Sequence, residues 1–350
     1  MRLYNLPRAA CLGLATLGSL LAASLSFAEG EAGILSLRGQ GHFFVGLEVS
    51  EPDDGAGSIQ VHNQSYVGFQ LPAEKRHPYP LVLIHGGGAQ STDWFSTPDG
   101  RDGWRDYFLA NGFDVYWVDR PGSGRAPALQ HYGEPRVSSN SRIVSFLANA
   151  DNWPGDAKNP DDPALLALLA RAEPGPYGNT RAAAQGISEL LDMIGPAILV
   201  THSAGAMAGW WAADMNPDMI AGIVAIEPGA SNVTTNMRMG LTFDPPLPEQ
   251  FIPKKDGDDC ELQGHAPASR LVHFERFAVH LVGSEQGLNE GLPCAEKAFR
   301  QAGVRVRYTY LPDLGYRGNG HYMMVESNNG ALAKVIMGLA EDFEKTGDGE

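Results

Sequence analysis

"ILVTHSAGAMAGWW", Ile198–Trp211, decides the fold. It opens as an apolar, β-branched run and closes in the Ala-, Met- and Trp-rich composition of a buried helix. Between the two lies Thr201-His202-Ser203-Ala204-Gly205. A serine at so short a junction has two readings. It caps an ordinary helix, or it is a side chain held out from a tight turn. The sequence on either side decides between them.

Further apolar runs lie outward from this junction. "HFFVGLEV" (His42–Val49) and "SIQVHNQSYVGFQL" (Ser58–Leu71) alternate in polarity and predict an antiparallel pair. "PLVLIHGGG" from Pro80, "FDVYWVDRPGSG" from Phe113, "AILVTHSAG" from Ala197, "GIVAIEPG" from Gly222, "FAVHLVGSE" from Phe277 and "VRVRYTYLPDL" from Val304 are more continuous. Such runs belong to strands buried on both faces. Helical patterns fill the gaps: "GWRDYFLANG", "TRAAAQGISELLDMIG", "SAGAMAGWWAADM", "GLPCAEKAFRQAG" and "ALAKVIMGLAEDFEKT". The alternation predicts an α/β fold, with an eight-stranded, mostly parallel sheet and helices on both faces. Two irregular excursions interrupt it, at about 125–178 and 230–270. No internal repeat and no second domain is evident.

In open α/β sheets, ligands sit beyond the carboxyl ends of the strands. Those ends carry His85 with three glycines, Asp119, His202 and Ser203, Glu227, Glu285, and a last loop running through Asp313 to His321. One serine, a glycine turn, several acids and a late histidine are the inventory of acyl transfer. Serine needs a base to take its proton. A strand-to-helix turn would expose its Oγ and aim the Ala204 N–H at a developing oxyanion. The glycines after His85 would let a second N–H, from Gly87 or Gly88, approach the same oxygen.

"HGGG", "DRPGSG", "THSAG" and "GNGHYMMVE", in this order, resemble the α/β-hydrolase superfamily over about Gly39–Phe343. "SLRGQGHFFVG", "FSTPDGRDGW" and "GNGHYMMVESNN" are similar to small exported bacterial carboxylesterases whose triad acid follows strand six. The resemblance implies carboxylester hydrolysis through a Ser203–His321–Glu227 triad, without metal or organic cofactor. Amide, lactone or polyester hydrolysis and acyl transfer use the same groups. A non-catalytic binding protein on this scaffold is the reading from another class. Thr201 departs from the G-x-S-x-G pattern, because the first glycine position packs closely. Thr201 fits only where the neighbouring strand leaves room.

The acid has two candidates. The usual pattern ends strand seven in G-x-x-D, and that position holds Gln286, with Glu285 one residue off. Glu227 ends strand six, beside the strand delivering Ser203, and Pro228 keeps it out of the right-handed helical region. Glu227 is therefore preferred over Glu285. Among the histidines, His321 lies in a glycine-flanked loop after the last strand, where a base belongs. His202 is assigned to packing, and His85 to a structural hydrogen bond. Trp94, Phe95, Trp153 and Tyr316 are candidates to line a pocket.

Composition bounds the setting. Residues 1–28 have a positive start (Arg2, Arg8), an apolar run and Ser26-Phe27-Ala28, the pattern of a secretory signal cleaved after Ala28. The chain has 26 basic and 41 acidic residues; without Arg2 and Arg8 the balance is 24 against 41, or −17. That excess argues against nucleic acid and anionic membranes as partners and suits a soluble exported protein, periplasmic or secreted, for which the resemblance implies a small ester as substrate. Cys11 leaves with the signal, so Cys260 and Cys294 remain for a disulfide in an oxidising compartment, two free thiols being the alternative. "GSGRAP" lacks the third glycine of a dinucleotide fingerprint, there is no GxxxxGK[ST] and no HExxH, and "KKDGDDCE" matches a calcium loop only loosely.

Overall fold

The computed structural model describes residues 32–51, 57–127, 141–173, 180–229, 240–249, 253–257, 260–287 and 291–346. The expected signal segment and its cleavage site lie outside the described residues. Eight strands form one sheet: β1 (Leu37–Val45), β2 (Ser65–Pro72), β3 (Leu81–Ile84), β4 (Val115–Asp119), β5 (Ala197–His202), β6 (Ile220–Ile226), β7 (Ala278–Gly283) and β8 (Arg305–Tyr310). Their spatial order is β1-β2-β4-β3-β5-β6-β7-β8. β2 runs antiparallel to β1 and β4, and every later pairing is parallel. The α/β class with a mostly parallel sheet is as expected.

The unbroken apolar runs follow from cover on both faces. Leu81, Leu83, Ile198, Val200, Val224 and Ile226 face one layer, built largely on α1 (Trp104–Ala110) and the C-terminal helix α7 (Asn329–Thr346). Val82, Ile84, Leu199, Ile223 and Ala225 face the other. That layer contains α4 (Thr180–Ile194), α5 (Gly205–Met215) and α6 (Leu292–Gln301).

Three details differ from the sequence expectations. The second expected strand is cut at Asn63, which sits at φ 61°, in the left-handed region that asparagine tolerates. Its first part, Gln60–His62, pairs instead with Glu48–Ser50 in a separate ribbon. The first excursion is not irregular throughout. It holds α2 (Ser141–Ala148) and α3 (Pro163–Leu169). Asp162 caps α3 by accepting the Leu165 N–H, and Pro163 occupies the first turn, where no N–H partner is needed. The second excursion carries two small antiparallel pairings, Pro253–Lys255 with Glu261–Gln263 and Phe243–Asp244 with Arg270–Leu271. The Cys260–Cys294 disulfide ties it to α6.

Candidate active site

The junction after β5 is a sharp elbow. Ser203 sits at φ 49°, a strained conformation for a residue with a Cβ. The strain is held by backbone pairing: the Ser203 amide donates to the Ile226 carbonyl at 3.0 Å, and its carbonyl accepts from Gly229 at 2.9 Å. The turn is tight because α5 starts against β3. A Cβ on Gly205 would collide with the His85 carbonyl. Room for Thr201 comes not from a neighbouring strand but from α5. Gly209 faces the Thr201 methyl, and a Cβ there would come within 2.7 Å of it.

Three sequence candidates meet at this elbow. His321 Nε2 lies 3.0 Å from Ser203 Oγ. On the other side of the ring, Nδ1 lies 3.5 Å from Glu227 Oε2. That distance permits an ion pair but is longer than a hydrogen bond, and Nδ1 makes no hydrogen bond in the described structure. Glu227 is fully buried and follows β6 at φ 44°. Pro228 does exclude the right-handed helical region, but the residue turns left-handed rather than staying extended. Its Oε1 accepts the Ser284 N–H at 2.6 Å, and the Ser284 hydroxyl lies 2.8 Å from the same oxygen.

The strand-seven alternatives go elsewhere. Glu285 pairs with Arg317 at 2.9 Å and accepts the Gly318 N–H. Gln286 bridges to Asp151, accepting its backbone N–H and donating to its carboxylate, both at 2.9 Å. The end of β7 thus contributes a hydroxyl, Ser284, to the buried Glu227. Sequence inspection weighed the acids here and passed over the serine beside them.

His202 does more than pack. Its ring is buried, and burial, with His321, His85 and Arg120 near it, holds its pKa well below the usual imidazole range. The neutral ring donates from Nε2 to the His321 carbonyl at 2.9 Å. His321 is also covered by Phe146 of α2, ring centroids 4.6 Å apart. The loop before His321 is fixed by Glu326, which accepts the Gly320 N–H at 2.9 Å and the Asn319 side-chain amide at 2.6 Å. Burial pushes the Glu326 carboxyl up to about 7, with the Glu227 charge adding to the shift.

Gly87 lies against Ala204, so the two amides expected for an oxyanion belong to adjoining residues. Trp94 and Trp153 are core rather than wall, and Trp94 meets the His202 ring edge-on. No group of three or more potential ligands for a metal occurs among the described residues. No helix among them is long and apolar enough to cross a membrane.

The comparisons agree with this architecture. A family profile described as alpha/beta hydrolase fold matches residues 79–277. A fungal protein (strain ATCC 74256), "Probable secreted lipase phiG", is 31% identical over 307 residues, covering 78% of this chain and 84% of that protein. The solved structure of a novel bacterial esterase superposes with a TM-score of 0.66 at 24% identity, over 90% of this chain and 99% of the other. At that identity the superposition speaks for the fold alone. With more than half of the chain matched by the profile and a sheet in the order β1-β2-β4-β3-β5-β6-β7-β8, the chain belongs to the α/β-hydrolase fold family.

Proposed function

We propose that this protein is an exported serine esterase working through Ser203, His321 and Glu227. The observation that carries the reading is the run of contacts Ser203 Oγ–His321 Nε2, 3.0 Å, and His321 Nδ1–Glu227 Oε2, 3.5 Å, at a strained elbow. Ser203 Oγ attacks the ester carbonyl carbon while Nε2 takes its proton. The imidazolium formed then draws on the buried Glu227 carboxylate, and the long Nδ1 contact shortens as charge develops. The N–H groups of Ala204 and Gly87 receive the oxyanion. Collapse expels the alcohol, which takes the proton from His321. Water repeats the sequence on the acyl-enzyme.

Two things support esters as substrate and export as destination. The fungal relative is called a secreted lipase, and the first 28 residues have the composition of a secretory signal. Residues 29–350 are read as one catalytic domain. A panel of p-nitrophenyl esters of rising acyl length, with wild-type protein and Ser203→Ala, tests the reading. Loss of about 10⁴-fold or more in kcat for the folded variant is expected. Retention of more than about a tenth of the rate would overturn it.

A further inference from the structure

The oxyanion turn poses a mechanical question. His85-Gly86-Gly87-Gly88 is about the least constrained sequence a backbone can have. The peptide joining Gly86 to Gly87 is free of Cβ atoms on both sides and could rotate as a unit. In one orientation its N–H faces the reacting oxygen. In the other its carbonyl would, and would repel it.

The structure holds this peptide from behind. The Gly86 carbonyl has two buried donors. Arg120 Nη2 lies 2.6 Å from it, and His85 Nδ1 lies 2.8 Å from it. The histidine tautomer that permits the second bond is fixed as well. The Arg120 backbone N–H points at His85 Nε2, 3.2 Å away, so Nε2 carries the lone pair and Nδ1 the proton. Burial, with the Arg120 charge adding, keeps this ring neutral. Arg120 therefore acts twice, through its guanidinium on the carbonyl and through its amide on the ring. In a planar trans peptide, C=O and N–H point in opposite directions. Clamping the Gly86 oxygen fixes where the Gly87 N–H points. Gly87 in turn lies against Ala204.

We infer that Arg120 and His85 are positioning residues for the oxyanion site, locking the Gly86–Gly87 peptide with its N–H toward the reacting carbonyl. The inference rests on the esterase reading above and deepens it. Both side chains are buried behind the turn. The guanidinium adds a second effect, because a cation at a peptide oxygen polarises the group and strengthens its N–H as a donor.

The test compares an ester with its thionoester analogue, whose sulfur is a poorer acceptor for oxyanion donors. Arg120→Met keeps the stem and removes the donors. Its kcat on the oxoester should fall by about 10- to 100-fold, less than or comparable to deleting an oxyanion donor outright, with KM within about threefold. The thionoester rate should change far less, so the oxo-to-thiono preference collapses. Arg120→Lys, which returns a cation to the same place, should recover at least about threefold over Arg120→Met on the oxoester. A purely structural role would lower both rates together. A folded Arg120→Met with wild-type kcat, or with equal losses on both substrates, overturns the inference. Should Arg120→Met fail to fold, His85→Phe, which removes the second donor to the same carbonyl, carries the same comparison, and an unchanged preference there overturns it. A wild-type protein that hydrolyses no ester, or an active Ser203→Ala, overturns the esterase reading together with this inference. An active, Ser203-dependent wild type with an unchanged preference in the donor-removing variant overturns this inference alone.

Discussion

Glu227 and Glu285 stand beyond the ends of adjacent strands, β6 and β7, and invite a direct comparison at the level of single atoms. Glu227 is buried against Ser284 and faces Nδ1 of His321, whereas Glu285 is engaged by Arg317 and Gly318 near the surface. Glu227→Gln keeps the shape and removes the charge that an imidazolium needs. We expect kcat/KM to fall by a factor on the order of 10³–10⁴, while Glu285→Gln stays within about threefold of wild type. Steady-state kinetics on both, with circular dichroism for folding, decides it, and a larger loss in Glu285→Gln would move the acid to β7. The residue types at the strand ends made Ser203, Glu227 and His321 readable as candidates. The work of His202 was not readable, because its partner is a backbone carbonyl 119 residues away. No local pattern encodes such a bond. Replacing that donor by His202→Phe keeps a ring in the core and leaves the His321 carbonyl without it. About 1–3 kcal/mol of stability should be lost in denaturant titrations. kcat should drop about tenfold as the base loosens.

Between elements, the packing of α5 on β5 explains how a threonine occupies a position that favours glycine. Gly209 supplies the space one turn into the helix. Gly209→Ala gains about 1 kcal/mol of helix propensity. It also drives a methyl into the buried Thr201 side chain, and overpacking of that kind costs about 1–3 kcal/mol. Net destabilisation is expected. In a Thr201→Ser background the offending methyl is gone, so Gly209→Ala should become neutral or stabilising. A double-mutant cycle by thermal unfolding measures the reversal, and additive effects would show that the two residues do not share the space. The sequence drew attention to Thr201 but looked to the wrong neighbour, since strand pairing is easier to foresee than the helix residue above it. The same limit hid α2 and α3. Their apolar cores, "IVSFLA" and "PALLALL", are short and lie among Pro, Asn and Asp, which read as loop. Phe146 of α2 nevertheless reaches the His321 imidazole.

Over the whole molecule, the sheet was the most legible part, because strands covered on both faces must be apolar at every position. Its stability carries a pH signature. Glu326 and Asp93 are both pushed up to about 7, chiefly by burial. Each is protonated in the folded state over a range where the unfolded chain is ionised. At these two groups the folded state binds more protons, so their contribution to stability is greatest below the unfolded pKa and is lost as pH rises toward about 7. The buried neutral rings of His85 and His202 act the opposite way over the same range, so the acid's share is read as a difference: the Tm of Glu326→Gln minus that of wild type should grow more positive as pH rises across roughly 4.5 to 7 and level off above it. A difference that stays flat or shrinks across this window would contradict the buried, proton-binding state of Glu326. The disulfide acts in the other direction. Reducing Cys260–Cys294 reopens a loop with a sequence separation of 34. It should cost about 3–4 kcal/mol, read as a lower denaturant midpoint in the presence of a thiol reductant.

The positions of the three catalytic candidates along the chain have a consequence for biosynthesis. Ser203 and Glu227 are translated well before His321, which comes close to the carboxyl end, and α7 follows it to lay Phe343 over Gly222 of β6. On the proposed mechanism, a nascent chain carries Ser203 and Glu227 for a further stretch of synthesis before the histidine that would make them reactive. On the proposed route of export, a chain threaded unfolded across a membrane meets its own histidine only after the loop following β8 has arrived. The order of translation by itself, on the proposed mechanism, delays assembly of the triad until β8 and the loop after it have been made.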